Sequence, residues 1–191
     1  MLRYAFIIML AAMGPVAAQP VTDYLGVPGP IVLGDTSYEL AWTSQPTAEL
    51  TKHEYVPAGQ TVEHYNQMLM LDFMPAGAAP LELAQGMLQM LEERKASDPV
   101  VNSELILNDA TGEVILDFVL SAPDDNGDII VEWNVYRYAS VENAVGEPGS
   151  LLFAVSHRDY GDDDAKAFLA DLGSLRAEQI GLVAGATLPK L

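Results

Sequence analysis

The residues best placed to do chemistry flank the dipeptide Asn126-Gly127. Both residues tolerate the positive φ of a two-residue type I′ turn, so the runs on either side are expected to pair as an antiparallel hairpin. Such a turn sets Asp117 opposite Tyr136, Val119 opposite Asn134 and Ser121 opposite Glu132. One strip of sheet then gathers Asp117, Glu132, Tyr136 and Asn134. Two carboxylates with a phenol between them, once enclosed, have proton affinities driven apart, which is what the acid and base of a hydrolase or isomerase require. The assignment rests on register, because a slip of one residue sends every side chain to the opposite face. Asn134 and Tyr138 are also candidates for a binding surface.

Other clusters carry weaker signals. Asp124, Asp125 and Asp128 supply the clustered oxygens a hard cation wants. Fitting Gly127 to the glycine of an EF-hand loop, however, places Ala122 at the first ligand and Trp133 at the last, so that template fails and a solvated turn is the simpler reading. His53, His64 and His157 show no i, i+3 or i, i+4 spacing, and no H-E-x-x-H string occurs. Met68, Met70, Met74, Met87 and Met90 suit a copper(I) site, an adaptable groove or ordinary core filling. Nucleophile-elbow, phosphate-loop and dinucleotide signatures are missing, so no cofactor is expected.

Charge and composition narrow the partners. With 9 basic against 27 acidic residues the net charge is −18, which disfavours nucleic acid and anionic lipid and leaves a neutral or cationic protein or small molecule. Strong acidity also serves solubility in a saline habitat. The chain has no cysteine, which excludes disulfide scaffolds, thiolate metal sites and thiol nucleophiles.

The N-terminus reads as an export signal. Arg3 precedes an apolar run over 4–13, Gly14-Pro15 breaks it, and Val16-Ala17-Ala18 offers small residues to a signal peptidase, so residues 1–18 are assigned as a leader cut after Ala18. The run is shorter than the roughly 20 residues a membrane-spanning helix needs. Residues 19–191 are then a single domain, periplasmic or secreted, with no membrane span after cleavage. That compartment suits a chain without thiols.

The elements that must position the candidate residues follow from periodicity. Alternation predicts a hairpin over 37–43 and 48–56, and four further strands over 103–107, 113–121, 129–139 and 151–157 forming a meander. Helical spacing of Tyr65, Met68, Leu69 and Phe73 behind Thr61 predicts a short helix, and Pro80 opens a second one running to about 96. Asp162-Asp163-Asp164 introduce a third, with Phe168, Leu169, Leu172 and Leu175 along it. The sum is an α+β fold, an antiparallel sheet whose apolar face takes the helices.

The phrases Tyr38-Glu39-Leu40-Ala41-Trp42, Glu54-Tyr55-Val56-Pro57-Ala58-Gly59 and Val131-Glu132-Trp133-Asn134-Val135-Tyr136-Arg137-Tyr138 resemble a group of small secreted bacterial proteins of unknown function. The element order resembles the PsbP/Mog1-like sandwich, whose members are mostly binding or accessory proteins. That resemblance implies a non-enzymatic binding role in the bacterial envelope and carries over no site residue. A small periplasmic hydrolase or isomerase built on the carboxylate–tyrosine strip, and a cation-binding envelope protein, are the alternatives.

Overall fold

The structure is a computed structural model, and it describes residues 21–124 and 126–191. The assigned leader and Asp125 lie outside the described residues. The chain runs β1 (Ile31–Leu33), β2 (Thr36–Thr47), β3 (Leu50–Pro57), β4 (Gln67–Pro75), α1 (Pro80–Arg94), β5 (Asn102–Asn108), β6 (Glu113–Pro123), β7 (Ile129–Glu142), β8 (Pro148–Tyr160) and α2 (Asp162–Gly185). All eight strands join one antiparallel sheet in the order β1-β2-β3-β4-β8-β7-β6-β5.

This architecture corrects the expected helix-packed sandwich. Strand accounts for 45% of the described residues and helix for 23%, so the sheet dominates and only two helices accompany it among those residues. The decisive change is β4, predicted as a helix. Met68 to Met74 is an apolar run broken only by Asp72, the signature of a strand buried on both faces, and it lies mid-sheet between β3 and β8. There it fuses the predicted hairpin and meander into one sheet. Where it meets β8, Gly149 is obligatory, since a Cβ there would lie 2.6 Å from the Phe73 ring.

The sheet is curled into a half-barrel. Seven inter-strand gaps of about 4.8 Å would hold the edges of a flat sheet about 34 Å apart. Yet α2 touches both edges from neighbouring turns. Arg176 binds Glu104 of β5 at 3.0 Å, and Leu182 packs 3.0 Å from where a Cβ on Gly34, next to β1, would sit. The inner face therefore wraps α2. The larger core lies there, with Tyr38, Tyr55, Leu69, Leu71, Trp133, Val135, Leu151, Phe153 and Val155 buried under Ala165 and Val183. On the outer face, α1 crosses β5, β6 and β7, and Ala84 and Leu91 cover Leu116, Phe118, Tyr138 and Ala154.

Local chemistry sets the helix ends. Pro80 and Glu82 start α1, the Glu82 carboxylate accepting the Ala79 N–H at 3.1 Å. Asp162, Asp163 and Asp164 fill the first turn of α2 as predicted. At the other end of α2, Nη1 of the buried Arg137 donates to the carbonyls of Val183 (3.0 Å) and Ala186 (2.8 Å), placing a cation at the negative end of the helix dipole.

Candidate functional site

The β6–β7 register decides the fate of the predicted strip. Pro123 pairs with Ile129, and Asp124 N–H bonds to Asp128 O at 2.8 Å, so three residues, not two, close the loop. Gly127 takes a φ of 92°, but the longer loop excludes the two-residue type I′ turn. Asp117 consequently faces Val135, with Leu116 beside Tyr136, Phe118 beside Asn134 and Leu120 beside Glu132. Glu132, Asn134, Tyr136 and Tyr138 remain together on the outer face, and Asp117 is turned to the inner one.

On that inner face Asp117 is a clamp. Only 2% exposed, it accepts two hydrogen bonds from Arg176 of α2, both 2.8 Å, and one from Trp133 Nε1 at 3.2 Å. Arg176 is held charged by the Asp117 hydrogen bonds against the cost of burial. No proton exchange with Glu132 is possible through the sheet between them.

The remaining candidates are likewise engaged. The Asp124 carboxylate accepts the N–H groups of Asn126 (2.8 Å) and Asp128 (2.9 Å), which hold it below the usual carboxylate range. Asp128 is exposed, and among the described residues no group of three His, Asp or Glu side chains lies close enough to hold a metal ion. The methionines disperse. Met68 packs with Val56 and Tyr65, Met70 and Met87 belong to the α1 cluster, and Met90 is 63% exposed.

What the outer face does assemble is a polar network and, beside it, a row that α1 covers at one end and leaves open at Glu54 and Trp42. The Glu132 carboxylate accepts from Tyr65 (2.9 Å), Arg158 Nε (2.7 Å) and Asn134 Nδ2 (3.1 Å), and the Asn134 amide oxygen accepts the Ser156 hydroxyl. Arg158 also lies 4.2 Å above the Tyr65 ring. Burial, then the Glu132 charge, keeps the Tyr65 phenol protonated far beyond its ordinary range. Every acid in this network is already matched by a donor, so it ties residues 58–66 to the sheet.

The row lies one step along the strands. Tyr136 sits opposite Ala154, Ala154 opposite Met70, Met70 opposite Glu54, and Glu54 opposite Trp42, five residues crossing β7, β8, β4, β3 and β2 on one face. Ala154 is fully buried under α1, and Met70 and Tyr136 pack against the same cluster. Trp42 is 39% exposed, and Glu54, Met70 and Tyr136 are half-buried. Glu54 makes no ion pair among the described residues. Burial raises its pKa, Lys52 opposes, and the nearby Asp72 and Glu63 carboxylates raise it further. Next to it Asp72 pairs with Lys52, and burial also raises the pKa of Asp72.

This row went unseen in the sequence because it needs β4 as a strand. Glu54 and Trp42 were each placed in the predicted hairpin, but nothing set Met70 between Glu54 and Ala154. The one available signal was the apolar run of β4, too continuous for an amphipathic helix.

The fold and face thus define an antiparallel half-barrel closed on a helix, with a half-buried anionic row on its outer side. A family model matches residues 25–188, and the chain belongs to that family of uncharacterised bacterial proteins. No curated protein and no solved structure matches it. Among the described residues, no helix is long and apolar enough to cross a membrane.

Proposed function

We propose that the protein is exported and acts without chemistry, binding an organic cation, such as an amine or guanidinium group of a partner, at Glu54, beside Trp42 and Met70 on the neighbouring strands. One observation carries this reading. Glu54 is a half-buried carboxylate with no ion pair among the described residues, flanked by Asp72 and Glu63, which raise its pKa, in a molecule whose cations are otherwise spent. Of the eight basic residues described, seven sit in intramolecular ion pairs: Lys52, Arg94, Lys95, Arg137, Arg158, Lys166 and Arg176. A ligand cation at Glu54 adds to the pull of Lys52 and Arg158, which by itself does not offset burial, and the Trp42 ring on the neighbouring strand adds cation–π attraction. The absence of thiols, and a family match beginning downstream of the apolar leader, support the export half of the reading.

Thermal unfolding of the protein with agmatine and a hexalysine peptide tests the site. A saturable rise in midpoint is expected, lost in Glu54→Gln and kept in Asp163→Asn, whose carboxylate is fully exposed on α2. No saturable rise, or equal loss in both variants, overturns it. N-terminal sequencing of the protein recovered from the periplasm or medium is expected to begin at Gln19; an intact Met1 in the cytoplasm refutes export.

A further inference from the structure

The two edges of the sheet are built differently. β1 is a three-residue edge, preceded by Pro30 and followed by Gly34 with a φ of 57°, and is thereby blunted. β5 pairs with β6 along all seven residues without a register break, and it is the last strand in the sheet, so among the described residues its outer row of N–H and C=O groups has no strand beside it. It has no Pro and no Lys, the devices that commonly protect an edge. Leu107 is 53% exposed and Ile106 39%, on opposite faces of the strand. Its single charge, Glu104, is held by Arg176. In so acidic a molecule this is an unusual stretch of uncharged surface.

We infer that β5 is a pairing edge for a second copy of this chain, joined antiparallel about a two-fold axis through Leu105. That register sets Asn102 against Asn108, Ser103 against Leu107, Glu104 against Ile106 and Leu105 against Leu105 of the second copy. Faces match, because an axis normal to the sheet keeps Ser103, Leu105 and Leu107 on the α1 side in both copies. Charges match as well. No carboxylate meets another, since Glu104 falls beside Ile106, and Asp109 lies beyond the paired segment. An extended cationic peptide fits the backbone but finds no free acid along the strand, so the self-complementary pattern favours the second copy. The dimer is a continuous sixteen-stranded sheet with both anionic rows on one side.

A single strand pair is a small interface, so the dimer is weak and its formation is opposed by −18 on each chain. Sedimentation of the full chain from about 1 µM to about 1 mM is expected to show a monomer–dimer equilibrium that strengthens with added salt, as screening relieves the repulsion. Leu107→Asp and Ile106→Asp, the latter setting a carboxylate against Glu104 of the second copy, each abolish the dimer while the circular dichroism spectrum and unfolding midpoint are retained. Because the chain has no cysteine, Leu105→Cys reports the axis directly: oxidation cross-links it at least tenfold faster than Ile106→Cys. A monomer throughout the range, open-ended aggregates in place of a dimer, a dimer indifferent to both aspartate variants, or equal cross-linking rates would each overturn the assignment.

Discussion

The two faces of this sheet spend their buried charges in different ways. On the inner face, charges join the sheet to a helix far along the chain: Asp117 to Arg176, and Arg137 to the carbonyls of Val183 and Ala186. On the outer face, ion pairs form between residues directly opposite on neighbouring strands, Lys52 with Asp72 and Glu132 with Arg158. Inner charges hold tertiary structure together, and outer ones brace a surface already fixed by the backbone ladder. Losing an inner partner strands a charge in the core, while losing an outer one exposes its mate to water.

The largest effect should follow from Arg137→Met. It removes the cap of α2 and leaves Glu113 without its cation, costing about 3 kcal/mol and lowering Tm by about 6–12 °C. Arg158→Met should cost about 1 kcal/mol, because Glu132 keeps Tyr65 and Asn134 and gains solvent. Equal losses in calorimetry would break the contrast.

Acid titration comes next in size. His53 and His157 are both inner-face residues whose pKa values burial lowers from 6.5, against weaker opposing pulls from Asp23 and Gln179. His53 Nε2 accepts the Tyr24 N–H at 3.1 Å, which leaves Nδ1 to donate to the Tyr55 hydroxyl, itself donating to Val27 O at 2.6 Å. The neutral imidazole thus ties residues 24–27 to the sheet. A lowered histidine pKa gives stability that is complete above 6.5 and lost as pH falls through the folded value. Tm should therefore decline below pH 6.5, and His53→Gln should flatten part of that decline.

On the outer face the sign reverses. The raised pKa of Glu54 means its carboxylate is disfavoured by folding, a penalty present at pH 7 and relieved as pH falls through the folded value. Glu54→Gln should raise Tm at pH 7 by about 1–2 °C, with the difference vanishing near pH 4. A fall in Tm would show that Glu54 is structurally committed.

Much of this was legible from residue order. The meander strands, the hairpin, α1 and the acidic start of α2 follow from alternation, helical spacing and Pro80. The helix-packed sandwich was misread because β4 has no wet face: Tyr65, Met68, Leu69 and Phe73 happen to fit a helical period, and only position in the sheet shows why their neighbours are apolar too. The strip failed for a smaller reason. Asp124 folds its carboxylate back on Asn126 and Asp128, lengthening the loop by one residue and sending Asp117 to the other face. Glu132, Asn134, Tyr136 and Tyr138 kept their shared face because they lie on one strand.

The clasp of both sheet edges on α2 also sets the order of assembly. The helix that fills the half-barrel is the last element in chain order, and the edge beside β1 waits for a contact 148 residues downstream, between Gly34 and Leu182. Pairings this remote close late. A chain emerging N-terminus first exposes seven of its eight described strands before the final one arrives, and its inner core cannot close until α2 follows.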